Sequence, residues 1–290
     1  MALREIKTKI GSLQNTGKIT KAMEVVSSVK LKKVEHSTLN ANNYLETMKE
    51  FLYESVQTDV QLDLPLFSAK DEEVTDALVI VIGSGKGLVG PLLHQLKVEV
   101  YDLVSTLKED NITPHLVSVK SRTLDILREL NLKSEYHFTG SFENADTSEI
   151  TPLKKIIMEY YPKKVQKVYV VFMKFRNAFV QEPISEKFIP LDKEDFPAPI
   201  ESSTNRSGFS FEPEARVILQ SLLEDYLEAF LIYTLLNSSC SEYASRVVTM
   251  KQATRNANDL QRQYQLQYNK LRQTQITSQI QETYLSSYTQ

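Results

Sequence analysis

The stretch of the chain best suited to chemistry is Asp76–Leu93, DALVIVIGSGKGLVGPLL. An apolar run enters a turn with four glycines and a lysine, and a second apolar segment follows. A strand, a glycine-rich turn and a helix in that order form the usual cradle for a phosphate, because unhindered backbone N–H groups at a helix start favour an anion. Two phosphate-loop templates can be laid on it. The P-loop pattern GxxxxGK followed by Ser or Thr, aligned on Gly85-Lys86, needs Gly at 80 and a hydroxyl at 87, where the chain has Ile80 and Gly87. Without that hydroxyl there is no magnesium ligand. The dinucleotide fingerprint GxGxxG fits Gly85-Lys86-Gly87-Leu88-Val89-Gly90. Its confirming acid should end the next strand, about 20 residues on, to hold the ribose. That strand ends Ser118-Val119-Lys120-Ser121, with no acid, and Lys120 would at best suit a 2′-phosphate. A tight strand-to-helix turn needing flexible backbone is the favoured reading, and Pro91 is acceptable at the helix start.

Other catalytic patterns are missing. There is no GxSxG, HExxH or CxxC, and His36, His94, His115 and His137 lack ligand spacing, so they read as surface or packing residues. No catalytic residue, cofactor or metal is expected. The acidic groups Asp71-Glu72-Glu73 and Asp192–Asp195 read as solvated loop charges. Lys and Arg along the first 33 residues make the opening segment basic, either as a solvated face or as a stripe for acidic partners. One cysteine, Cys240, forbids an intrachain disulfide and fits a cytosolic setting. The net charge of −3 gives no global pull towards nucleic acid. The start of the chain lacks a signal-peptide core. The longest charge-free apolar run, Ala77–Ile82, is far short of the roughly 20 residues that span a bilayer.

The elements that must carry these residues follow from the breakers. All 10 prolines lie between Pro65 and Pro213, and Glu214–Gln290 has neither Gly nor Pro. Long helices at both ends, flanking an interrupted middle, are the consequence. Apolar residues at Leu3, Ile6, Ile10, Leu13, then Ile19, Met23, Val26, and at Met250, Ala253, Ala257, Leu260, Tyr264, Tyr268, Leu271 place a seam on each. A helix of about 77 residues extends roughly 115 Å, against a diameter of roughly 36 Å for a compact middle. The two ends must therefore project and pair with each other, antiparallel. The pattern alone leaves open a solvent-exposed spacer or a pair inserted into a partner. In the middle, strands at Ala77–Ile82, Ile112–Val119, Val165–Phe172 and Ile184–Leu191 alternate with helices at Pro91–Leu107, Thr123–Leu130 and Glu149–Tyr160. The fold class is α/β: a long antiparallel coiled coil of N- and C-terminal helices plus a small Rossmann-like α/β domain. The divisions expected are 1–62 (helix), 74–192 (α/β foot), 193–210 (loop) and 211–290 (helix).

Both ends resemble the γ subunit of F-type ATP synthases, the rotor shaft. At the front Ile10, Ser12, Asn15, Thr16, Ile19, Thr20, Lys21, Ala22, Met23, Val26, Lys30 and Leu31 match that family's opening motif. At the back Ser241, Glu242, Ala244, Arg246, Met250, Ala253, Thr254, Asn256, Ala257, Leu260, Tyr268, Asn269, Lys270, Arg272, Gln273, Ile276, Thr277 and Glu282 match its last helix, and Phe211-Glu212-Pro213 resembles the motif opening it. The glycine turn is similar to the family's S-D-R-G-L-C-G at Ser84, Gly87, Leu88 and Gly90, with Gly85-Lys86 and Val89 as departures. Glu24, Gln279, Gln281 and the slightly acidic charge depart from the pattern too.

The resemblance implies a non-catalytic shaft in the ring of α and β head subunits, whose rotation sets each catalytic site in turn. The foot would rest on the membrane rotor ring (c-ring) with the ε subunit, at the cytoplasmic face of the membrane. Arg272 and Gln273 would contact the catalytic subunits' catch loop, with Thr277 nearby. Met23 would lie near their lever loop and Arg246, with Lys21 beside it. Ser84, Lys86, Gly87, Leu88 and Gly90 would form the loop at the base of the head. The alternatives are a shaft of a specialised rotary ATPase with a different output, a dinucleotide enzyme, and a plain coiled-coil scaffold.

Overall fold

The computed structural model describes residues 3–57, 74–140, 142, 147–191 and 215–288. The loop 193–210, Phe211-Glu212-Pro213 and the acidic groups at 71–73 and 192–195 lie outside the described residues. Contacts divide the chain into two compact units, Met1–Val29 with Arg246–Gln290, and Lys30–Ser245. Two helices contribute to both, α1 (Leu3–Gln57) and α5 (Ala215–Tyr288).

The Lys30–Ser245 unit is built on five strands: β1 (Asp76–Ile82), β2 (Thr113–Val119), β3 (Ser134–Phe138), β4 (Lys167–Phe175) and β5 (Gln181–Ile189). The helices between them are α2 (Leu92–Glu109), α3 (Ser121–Glu129) and α4 (Thr147–Tyr160). The sheet order is β3-β2-β1-β4-β5, parallel except for β5, which runs antiparallel to β4. Strand β1 explains the layering. Its side chains alternate faces, and both faces are covered, so the strand is apolar from Ala77 to Ile82. Leu78, Ile80 and Ile82 join a core with α4 and with Val34, Leu45, Met48 and Leu52 of α1 and Leu223, Leu227 and Phe230 of α5. Ala77, Val79 and Val81 face Leu92, Leu96, Val100, Val104 and Leu107 of α2 and Ile126 and Leu127 of α3. Packing thus draws this unit wider than 74–192, because the inner parts of both terminal helices form the third layer over the sheet. Phe188 stacks on Phe230 at 4.1 Å between ring centroids, fixing β5 against α5.

Strand β3 is absent from the sequence expectation. Its five residues, SEYHF, are polar or aromatic and mostly exposed at the sheet edge, so they carry no apolar run to betray a strand.

In the other unit, Thr20 Oγ1 lies 2.7 Å from Thr254 Oγ1 and Lys9 Nζ sits over the Tyr264 ring. Contacts that descend on one helix as they ascend on the other make the pair antiparallel. The seam keeps most of the expected positions: Leu3, Ile6, Ile10, Leu13, Met23, Met250, Ala253, Ala257, Tyr264 and Tyr268 are covered, whereas Ile19, Val26, Leu260 and Leu271 are exposed. One covered row runs through Ile6, Ile10, Leu13, Gly17, Thr20, Glu24 and Ser27 of α1, and one through Met250, Thr254, Ala257, Gln261, Tyr264 and Tyr268 of α5. Both rows keep the 3-4 spacing of a coiled-coil seam, but small and polar residues hold part of it. At Gly17 an added Cβ would come within 3.4 Å of Asn258 Oδ1 and 3.8 Å of Ala257 Cβ. Small residues there allow close approach, and the threonine pair satisfies its hydroxyls across the seam. At Ile19, Val26 and Leu260 apolar content points one position away from the covered Thr20, Ser27 and Gln261.

Candidate functional site

Two features answer the sequence-level candidates, one in each unit. The glycine turn follows β1 at the carboxyl ends of the parallel strands. In an open α/β sheet that crevice, at the point where the connections reverse direction, is where ligands bind. Here the crossing segment of α5 fills it. Ser238 Oγ lies 3.0 Å from the carbonyls of both Ile82 and Gly83, Ser241 Oγ donates to Met173 O at 3.1 Å, and Ser245 Oγ to Val89 O at 2.6 Å. Asn237 Oδ1 accepts from the Phe175 N–H at 3.3 Å. All of Thr234–Arg246 is buried. Buried hydroxyls and amides must find partners, and these find the strand ends of β1 and β4.

The anion position is also taken from within. The Gly85 N–H donates to Glu242 Oε2 at 3.1 Å, and Lys120 Nζ approaches the same oxygen at 3.3 Å and Ser239 Oγ at 2.9 Å. The side chains of Lys120 and Glu242 are 1% and 7% exposed. A carboxylate from α5 thus stands where a bound phosphate would, against the backbone N–H and the lysine that suggested one. Lys120 has φ 71°, uncommon for a side chain with a Cβ; that backbone sits at the start of α3, beside the buried pair. A Cβ at Gly85 would lie 4.0 Å from Glu242 Oε1, an ordinary van der Waals contact.

The turn itself is closed locally. Ser84 is buried; its Oγ donates to Lys86 O at 2.6 Å and accepts the Lys86 N–H at 3.3 Å. Ser121 Oγ donates to Gly85 O at 2.9 Å. Leu88 and Gly90 take the left-handed region, at φ 63° and 54°. Lys86, Leu88 and Gly90 are exposed, whereas Val89 is buried under α2. The loop therefore presents Lys86 and Leu88 outward and uses Ser84 for its own shape. Titration calorimetry with NAD(H), NADP(H) and ATP should give no binding heat, since α5 occupies the crevice; saturable heat with any of them would contradict that. Among the described residues no group of His, Cys, Asp and Glu is arranged to hold a metal. Burial pushes the Cys240 thiol up to about 12, leaving it unreactive at neutral pH.

In the coiled-coil unit Lys21 Nζ pairs with Glu24 Oε1 at 2.8 Å, one turn along its own helix. The acid that departs from the family pattern thus has a local partner. Met23 is half-buried and Arg246 buried. On the register set by Thr20 and Thr254, Met23 comes level with Met250–Lys251, about a turn and a half from Arg246. Arg272, Gln273 and Thr277 are exposed, as is every residue from Asn269 to Tyr284. Thr277 Oγ1 donates to the Gln273 carbonyl, a bond internal to the helix. Ile276, Ile280 and Tyr284 form an exposed apolar row along that stretch.

The sequence did not single out two functional pairings: Lys120 with Glu242, and the seam through Gly17 and Thr20. Glu242 lay in a matched motif, but its partner is 122 residues away and only the sheet register brings them together.

No described helix is long and apolar enough to cross a membrane. A family model described as ATP synthase matches residues 2–284. The ATP synthase gamma chain of Histophilus somni (strain 2336) is 31% identical over 280 residues, covering 96% of each chain. That of Haemophilus influenzae (strain PittGG) is 30% identical over 282 residues, again covering 96% of each. Among solved structures, a chain of the Euglena gracilis mitochondrial ATP synthase (OSCP/F1/c-ring, rotational state 3) superposes with a TM-score of 0.64 at 16% identity, over 97% of this chain and 91% of that one. A chain of the Tetrahymena thermophila mitochondrial ATP synthase central stalk/c-ring gives 0.56 at 22%, over 81% and 99%. With the glycine crevice closed by its own helix and the match running from end to end, the chain belongs to the ATP synthase gamma-chain family.

Proposed function

We infer that the chain is the central rotor-stalk subunit of an F-type ATP synthase or ATPase, coupling rotation to ATP synthesis or hydrolysis in a head built by other subunits. The observation that carries this is the family match over residues 2–284 joined to the outer stretch of α5, where Asn269–Tyr284 is exposed throughout. A polar helix end with one apolar row suits sliding contact with several partners, since a single tight apolar socket would stall it. On this reading the subunit is not itself catalytic. Arg272, Gln273 and Thr277 engage the catalytic subunits, Met23, Lys21 and Arg246 lie near a second contact with them, and Lys86 and Leu88 face the base of the head. The foot meets the ε subunit and the c-ring, and the chain reaches the cytoplasmic face of the membrane through those partners.

A second reading, the shaft of a specialised rotary ATPase with a different output, is favoured by the departures at Glu24, Gly85, Val89 and Gln279 and by the net charge of −3. Co-expression with the cognate head subunits tests the first. A stoichiometric complex with ATPase activity that depends on this chain is expected, and failure to co-assemble would overturn it. A pull-down from the native membrane, showing whether c-ring and ε accompany the chain, separates the two readings.

A further inference from the structure

Among the described residues, a cluster of titratable side chains around His115 is not used by the rotor reading. It lies at the amino ends of β1, β2 and β3, the opposite end of the sheet from the glycine turn. His115 of β2 stands between two carboxylates: its Nε2 is 2.9 Å from Asp76 Oδ1 and its Nδ1 is 2.6 Å from Glu135 Oε1. The far oxygens of both acids have donors of their own. Thr75 Oγ1 donates to Asp76 Oδ2 at 2.8 Å, and Tyr160 OH to Glu135 Oε2 at 2.5 Å. The remaining charged or titratable neighbours are Lys164, whose Nζ lies 4.4 Å from the Tyr160 ring centroid, and Tyr136, edge-on to the same ring.

A neutral imidazole has one N–H and one lone pair. With carboxylate oxygens at hydrogen-bond distance from both nitrogens, the neutral ring would set its lone pair against a negative oxygen. An imidazolium donates to both, and such charge-assisted bonds are the stronger kind. The placement of Glu135 looks built for this. The β2–β3 register jumps from Leu116↔Ser134 to Val117↔Tyr136, leaving Glu135 as the unpaired residue. A bulge of this sort re-aims a side chain, here towards His115.

We propose that protonated His115 is a proton-dependent clamp, tying the edge strand β3 and the end of α4 to β1 and β2, and that the clamp opens as the surroundings become alkaline. The electrostatics run the same way. Burial pushes the imidazole down, but its bonds to Asp76 and Glu135 outweigh this and raise it above its ordinary value. The His115 bond holds Asp76 below the usual carboxylate range; for Glu135 burial is outweighed by the bonds from Tyr160 and His115. A raised imidazole contributes its full stabilisation below its unfolded value of about 6.5 and loses it as pH climbs through the folded value. The depressed acids contribute above about 4 and lose it as pH falls through their folded values. The clamp is therefore closed between those limits.

The test uses the full chain. Histidine-labelled protein is titrated by NMR, and melting temperature is compared between wild type and His115→Gln from pH 5.5 to 9. His115 should titrate above about 6.5, with the variant's deficit largest at the acid end and shrinking towards pH 9. Amide exchange in Tyr136–Phe138, corrected for its intrinsic pH dependence, should then show more frequent opening, about tenfold for each unit by which the titration is raised. Strands β1 and β4 should show no such change. A His115 titrating at or below its ordinary value, or a deficit that does not change with pH, overturns the clamp. If the variant fails to fold, the wild-type titration and exchange decide alone.

Discussion

Replacing Glu242 with alanine should lower the stability of the chain by about 3–5 kcal/mol, on the order of 10 °C in melting temperature for a domain of this size. The loss arises because the substitution leaves Lys120, 1% exposed, without its carboxylate, and the Gly85 N–H without the acceptor that holds the turn. Ser239 still offers its hydroxyl to Lys120, but a neutral oxygen does not offset a buried ammonium. Lys120→Met should cost a similar amount, by taking the ammonium away from the buried Glu242 carboxylate. The double substitution Lys120→Met, Glu242→Leu should recover most of the loss, because replacing a buried pair with apolar groups of similar volume is often neutral. Denaturant unfolding of wild type, Lys120→Met, Glu242→Leu and the double variant closes the cycle and gives the coupling. Single variants within about 1 kcal/mol of wild type would show that the pair is not what anchors α5 in the crevice.

The pair also marks where sequence reading ran out. Strand β1 was legible because six apolar residues in a row have few other uses, and α2 because its apolar residues recur at helical spacing. The missing prolines and glycines exposed the terminal helices. What failed needed spatial information. Lys120 reads as a surface lysine or phosphate ligand until α5 is laid over the strand ends, and nothing in the serines of Asn237–Ser245 says that they bond to carbonyls of β1 and β4. The seam through Gly17 and Thr20 was missed for a related reason. An apolar stripe was sought, while the helices meet through small residues and a hydroxyl pair whose value lies in close approach. His115 needed the β2–β3 bulge, a one-residue irregularity with no compositional signature.

These misses share a direction. Apart from Gly17, each concerns a polar residue whose role is to satisfy another polar group inside the fold. Two phosphate templates can be laid on the glycine turn because its N–H groups and lysine call for an anion. They do, and the chain supplies it as Glu242. A motif match therefore identifies an electrostatic requirement, and the rest of the fold decides whether a ligand or a side chain meets it.

Alanine at both Arg272 and Gln273 should leave the melting temperature of the isolated chain unchanged while cutting ATP turnover of the assembled complex about tenfold or more. The first half follows from exposure: both side chains are solvent-facing, in a stretch where every residue from Asn269 to Tyr284 is exposed, and surface changes of this kind stay within about 0.5 kcal/mol. The second half rests on the rotor reading. A hydrogen bond to a charged group is worth about 1.5–3 kcal/mol, and about 1.4 kcal/mol lost from the rate-limiting barrier is tenfold in rate. If the two side chains grip the catalytic subunits during the power stroke, their loss appears in turnover. If they serve insertion instead, the complex fails to form, and size-exclusion chromatography shows that before any assay. Normal assembly with undiminished turnover would remove both residues from the torque path and shift attention to the exposed row Ile276, Ile280 and Tyr284 as the grip on the head.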